Sequence, residues 1–268
     1  MSAQAHMTGM LVDGPGARAT RAEIIAVRIL KDEAEIARAR TDEVELSHDP
    51  PAEDYLTNLA IQFDLENADL RYRDAIRGEQ QDLLDAAVEP DVAEQVVSLL
   101  PDALAAQVED AFQGWYALWH LAGIDEFEKV HIHPRALGSP APEHELLGIY
   151  QDAGTRYQVD WAILASINYI ESDFGRVNGP SSAGARGPMQ FMPATWQEYG
   201  TGDIMSPHDA IWAAARYLFL HGAVTNIGRA LFAYNHDWDY VTAIESYADA
   251  MRRDPAWAER LYYWTTAG

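Results

Sequence analysis

Apolar residues in this chain recur at intervals of three, four and seven, in runs cut by prolines, while alternation of the strand kind is scarce from end to end. The pattern predicts an all-α fold. Thr20 and Glu23 are spaced as a capping box, and Ala22, Ile25, Ile29 and Ile36 follow on one helical face. Past Pro50 and Pro51, Leu56, Leu59, Phe63 and Leu70 form the stripe of a second helix. Further helices are expected over 80–88, 91–99 and 102–121, with Pro90 and Pro101 as breaks. Residues 1–19, small, polar and without period, are expected to be disordered or vector-derived. The stretch Pro134 to Pro142, PRALGSPAP, cannot continue a helix and reads as a linker. The expected organisation is therefore a helical N-terminal region over 20–133, a linker over 134–142 and a second helical domain over 143–268. A fragment from 141 to 268 is expected to fold and act alone.

A chain of 268 residues with 48% hydrophobic content can bury a core in one large domain or two modest ones. No apolar run is long enough to span a membrane, and no basic segment followed by an apolar run marks a signal peptide. With no cysteine, disulfides, thiolate nucleophiles and cysteine-bound zinc are excluded. The formal charge of −23, of which −16 falls in residues 1–139, argues against nucleic acid, whose phosphates would be repelled. The acidic excess reads as a solvated helix surface, with a cation site as the alternative. Phe112, Trp115, Tyr116 and Trp119 stand at core-packing intervals, although such rings also stack on sugars. His120, His131 and His133 lack a carboxylate or further histidine at ligand spacing, so no metal site is expected.

The chemistry concentrates further on. Asp160 is placed to cap a helix whose stripe is Ile163, Leu164, Ile167 and Ile170, and Glu171 falls on that stripe. A carboxyl directed into an apolar interior at a helix C-terminus has its ionised form disfavoured, as a general acid near neutral pH requires. The alternative is a structural glutamate bonded to backbone. Ser172 follows, then a loop rich in glycine containing Met189, Gln190 and Phe191, whose bland role is turn packing. Ser206 and Asp209 are spaced as a capping box, and Ala233-Tyr234-Asn235 ends a later apolar helix.

A helix ending in Glu-Ser, a GxxGPMQFMP loop and a later AYN triplet, in that order, resemble the lysozyme-like domain of the soluble lytic transglycosylases, relatives of the goose-type lysozymes. The resemblance covers about residues 143–247. It implies a lysozyme-like helical domain with a glycan cleft, and peptidoglycan strands as substrate. Glu171 would be acid and base, and Ser172 would orient the substrate N-acetyl group. Met189, Gln190 and Phe191 would line the cleft, with Tyr234 and Asn235 beside the carboxyl. Only one convincing carboxylate is visible, and a C2 N-acetyl group can replace the missing nucleophile. The implied reaction cleaves the MurNAc-GlcNAc β-1,4 bond and closes a 1,6-anhydromuramoyl ring, with no metal or organic cofactor. A hydrolytic muramidase using Asp203 or Asp237 as base is the first alternative, and a non-catalytic wall-binding module the second. The substrate implies an extracytoplasmic location. His236-Asp237-Trp238 departs from the small residues that commonly follow the triplet. The N-terminal region matches no family and is a candidate for positioning the enzyme or binding a protein partner.

Overall fold

The computed structural model describes residues 15–48, 55–124, 138–177 and 179–264. Among them eleven helices account for nearly all regular structure: α1 Pro15–His48, α2 Tyr55–Ala87, α3 Pro90–Leu99, α4 Asp102–Leu121, α5 Glu143–Tyr157, α6 Trp161–Ser172, α7 Pro193–Tyr199, α8 Pro207–Leu220, α9 Ile227–Asn235, α10 Trp238–Arg253 and α11 Ala256–Tyr263. Strand pairing among these residues is limited to one antiparallel bridge between Arg186 and Phe191. The all-α expectation holds.

The first helix buries Ala22, Ile25, Ile29 and Ile36, as their spacing predicts. Its described residues already start at Pro15, ahead of Thr20. Thr20 lies inside the helix and its hydroxyl donates back to the carbonyl of Gly16, so it is not a cap. The second helix corrects the sequence reading more sharply. Leu56, Leu59, Phe63 and Leu70 are 48–73% exposed, on the outer side of α2. The buried side uses Ala68, Tyr72, Ala75, Ile76 and Leu83 instead. Periodicity finds a helix with two candidate faces and cannot say which one α1 covers.

Helix α4 is the bridge between the two halves. Phe112, Trp115 and Trp119 are buried, and α4 packs along α10, with the Gly114 position filled by the Tyr247 ring. Trp115 stacks on Trp264 with centroids 5.2 Å apart, and the Trp257 indole donates to Gln107 at 2.6 Å. Arg253 pairs with Asp110 at 2.7 Å. Beneath α11, the Arg260 guanidinium lies between Glu33 of α1 and the fully buried Glu79 of α2, donating to Glu79 at 2.7 Å. Burial opposes the charge on Glu33, but Arg260 holds its carboxyl below the ordinary value. Glu79 is pushed up by burial to about 8. One hydrophobic cluster thus runs from Ala22 to Trp264.

The described end of the expected linker, residues 138–142, is tied down: the Gly138 amide donates to the Arg176 carbonyl at 2.6 Å and the Tyr262 hydroxyl to the Ala141 carbonyl at 3.0 Å. The start of that linker and His131 and His133 lie outside the described residues; His120 is exposed. Among the described residues no helix is long and apolar enough to cross a membrane.

Candidate active site

Helix α6 forms because Asp160 accepts the Ala162 amide at 3.0 Å and because almost every side chain after it is apolar or small. Ile163, Leu164 and Ile167 are fully buried, and Ile170 is half-buried. The helix is wedged between α5, α8, α10 and α11. Glu171 occupies its last turn, half-buried, where burial pushes the carboxyl up to about 7. The opposing influence is the Tyr240 hydroxyl of α10, which donates to Oε1 at 2.8 Å. The sequence reading missed Tyr240, which looks like one more core residue of an amphipathic helix. Its own phenol is held protonated by burial, so it remains a donor at any working pH.

Tyr234 takes the neighbouring position. Its ring lies parallel to that of Tyr240, with centroids 6.3 Å apart and planes at 5°, and its hydroxyl donates to the Met189 carbonyl at 2.7 Å. Burial raises its pKa well above the ordinary value, and the charge of Glu171 adds to the shift, which places both groups in one electrostatic site. Asn235 is exposed at the end of α9, where His236 turns the chain in the left-handed conformation.

Three of the expected site residues have buried side chains. Ser172 is 1% exposed, and its hydroxyl donates to the Pro188 carbonyl at 2.6 Å while accepting the Gly175 amide at 2.9 Å. These bonds fasten the end of α6 to the loop. Asn168 completes the fastening, donating to the Pro188 carbonyl at 2.9 Å and accepting from Tyr150 at 2.6 Å. Met189 and Phe191, 0% and 3% exposed, turn their side chains into the core rather than along a cleft wall. Gln190 stays half-buried in a left-handed conformation, its amide donating to the Gly187 carbonyl at 2.9 Å.

Asp173, Asp203, Asp209 and Asp237 each have other partners. Asp173 is buried against Arg176 at 3.3 Å. Asp203 accepts the Met205 amide at 2.9 Å, and Asp237 caps α10 by accepting the Asp239 amide at 2.7 Å. Ser206 caps α8 by accepting the Asp209 amide, but Asp209 does not complete the capping box: the Ser206 amide goes to the Asp203 carbonyl, and Asp209 accepts the Asp203 amide at 2.9 Å, tying the preceding loop to the helix. No charged neighbour contributes to the shift of Glu171. Among the described residues no group of histidines and carboxylates is arranged to hold a metal ion. A separate cavity of about 260 Å³, walled by Tyr157, Tyr199, His208, Trp212 and Arg216, contains none of these site residues.

Comparison with known proteins finds matches to the segment that contains these residues. The family model described as Transglycosylase SLT domain matches residues 148–248. A membrane-bound lytic murein transglycosylase F from Thiobacillus denitrificans is 32% identical over 119 residues, 41% of this chain and 25% of that protein. Proteins of the same name from Ectopseudomonas mendocina and Pseudomonas putida are each 26% identical over 73% of this chain. The chain spans only 25–37% of the length of these relatives. No solved structure matches it. Glu171, its tyrosine pair and the loop beneath them all fall inside the segment that matches the Transglycosylase SLT domain model.

Proposed function

We propose that this chain cleaves the β-1,4 bond between N-acetylmuramoyl and N-acetylglucosamine units of peptidoglycan and releases a 1,6-anhydromuramoyl end. The observation that carries the reading is a single carboxyl, Glu171, shifted by burial to about 7 with one phenol as its partner. In that state it is protonated in a useful fraction of molecules near neutral pH and can give its proton to the leaving glycosidic oxygen. The carbonyl oxygen of the substrate's own N-acetyl group attacks the anomeric carbon as the bond to that oxygen breaks. Glu171, now ionised, takes the proton of the C6 hydroxyl. That oxygen then displaces the N-acetyl oxygen from the anomeric carbon and closes the anhydro ring, leaving Glu171 protonated again.

Tyr240 supports both halves of the cycle, because its hydrogen bond steadies the carboxylate formed after the first transfer. Direct hydrolysis by inversion would need a second base on the opposite face of the sugar, whereas hydrolysis by the N-acetyl route would have Glu171 take a proton from water in place of the C6 hydroxyl. Asp203 and Asp237, the two candidates for that base, accept backbone amides in turn and cap positions, which disfavours the inverting muramidase route. A wall-binding module without activity would have no use for a carboxyl held at such a pKa. The substrate places the activity outside the cytoplasm, in the envelope. The test is digestion of purified sacculi followed by mass spectrometry of the fragments. Products lighter by one water than reducing-end fragments are expected, and Glu171→Gln should abolish release. Reducing-end products would make the enzyme a muramidase, and sacculi left intact by the parent chain would overturn the reading.

A further inference from the structure

The junction of α9 and α10 holds two ring stacks rather than one. The inner stack, Tyr234 on Tyr240, belongs to the Glu171 site. The outer stack repeats the same six-residue spacing: Phe232 of α9 against Trp238 of α10, centroids 4.7 Å apart and planes at 27°. The His236 ring stands against the free side of the joint, 5.9 Å from Phe232. Phe232 is half-buried and backs the stack, while Trp238 is 59% exposed. A large ring in that state leaves much apolar surface in water, and its position is not loose. The left-handed turn at His236 and the Asp237 cap on the Asp239 amide fix the backbone on both sides of it. These are the same residues, His236-Asp237-Trp238, at which the sequence leaves the family's usual small-residue pattern.

We propose that Trp238, supported by Phe232, is a sugar-binding platform that takes the apolar face of one pyranose ring of a glycan strand whose cleavage point lies at Glu171. The inference rests on the lytic reading given above. Three features argue for a sugar. An indole presents a flat electron-rich face to the C–H groups of a pyranose. Exposed Asn235 and His236 beside it offer hydrogen bonds to hydroxyl or N-acetyl groups. One ring is also far too small a patch for a stable protein interface, which needs about 800 Å² from each partner. The two stacks share the α9–α10 junction, and the rings of each are separated along the chain by exposed Asn235 and His236. The shared junction assigns the platform to the same strand as the Glu171 site.

The test uses the full chain carrying Glu171→Gln, so that bound strands remain intact, alone and combined with Trp238→Ala or Trp238→Phe. Co-sedimentation with purified sacculi measures half-saturation. Trp238→Ala is expected to raise it roughly three- to tenfold, the scale of one ring stacked on another. Trp238→Phe should restore most of the affinity, and the melting temperature of Trp238→Ala should fall by no more than a few degrees, the loss of one stack on Phe232. Equal half-saturation with and without the indole overturns the platform and leaves the lytic reading standing. A Glu171→Gln parent that does not sediment with sacculi at all overturns the lytic reading, and the platform with it.

Discussion

Glu171 shows how little is needed to make a carboxyl into a working acid. Burial raises its pKa and one phenol lowers it, so removing the phenol has a definite sign. Tyr240→Phe is expected to move the alkaline limb of the pH–rate profile upward, because the ionised form loses its donor while the ring packing stays. A limb that stays in place or moves downward would show that Tyr240 does not tune the acid. The same shift has a consequence for stability. A carboxyl raised from 4.5 to about 7 leaves the folded chain binding more protons than the unfolded one. The resulting destabilisation is absent below the unfolded pKa, grows as the pH rises to about 7 and is constant above it. Glu171→Gln, which keeps the acceptor for Tyr240 but carries no charge, should therefore melt higher than the parent at pH 8.5, by about 1–3 kcal/mol or a few degrees. The gap should narrow at pH 5, and equal melting temperatures at both would show that the site does not suppress ionisation.

At the level of elements, the site depends on how α6 is fastened to the 187–191 loop. Gly187 has φ of 77°, and a Cβ there would lie 1.9 Å from the Ile204 carbonyl oxygen. Gly184, with φ of 92°, has no atom within 4 Å of the same added carbon. Gly187→Ala should thus cost about 2–4 kcal/mol in urea unfolding, against roughly 1 kcal/mol for Gly184→Ala. Similar losses at both would mean that backbone strain, not the collision with Ile204, dominates. Much of this element was legible in the sequence: the Asp160 cap, the α6 stripe and the inward direction of Glu171 all follow from spacing. What spacing hides is the partner. Nothing in the sequence separates Ser172 facing a ligand from Ser172 buried under Pro188, or marks Tyr240 among the core residues of α10. Leu56, Leu59, Phe63 and Leu70 make the same point from the other side, since a regular stripe defines a face but not what covers it.

For the whole molecule, the question is whether the segment that carries the site can stand without the helices before it. Helix α10 presents Tyr240 to α6 on one side and Tyr247 to α4 on the other. Trp257 and Trp264 are also fully buried, bonded to Gln107 and stacked on Trp115 respectively. Arg260 has its carboxylates on α1 and α2. We propose that the described helices fold as one unit, contrary to the expectation that 141–268 is self-sufficient. Burial of a large apolar side chain contributes about 1.5–3 kcal/mol, so uncovering Tyr247, Trp257 and Trp264 removes on the order of 5–8 kcal/mol. That is comparable with the entire stability of an ordinary domain, about 5–15 kcal/mol. Arg260 would lose its partners as well. A fragment from 141 to 268 is expected to melt without a cooperative transition, to bind a hydrophobic dye and to leave sacculi intact, while the full chain does none of these. Circular dichroism melts of the two side by side decide the matter. A soluble fragment that melts cooperatively within a few degrees of the full chain would show that α4 and the helical hairpin before it rest on a domain already complete.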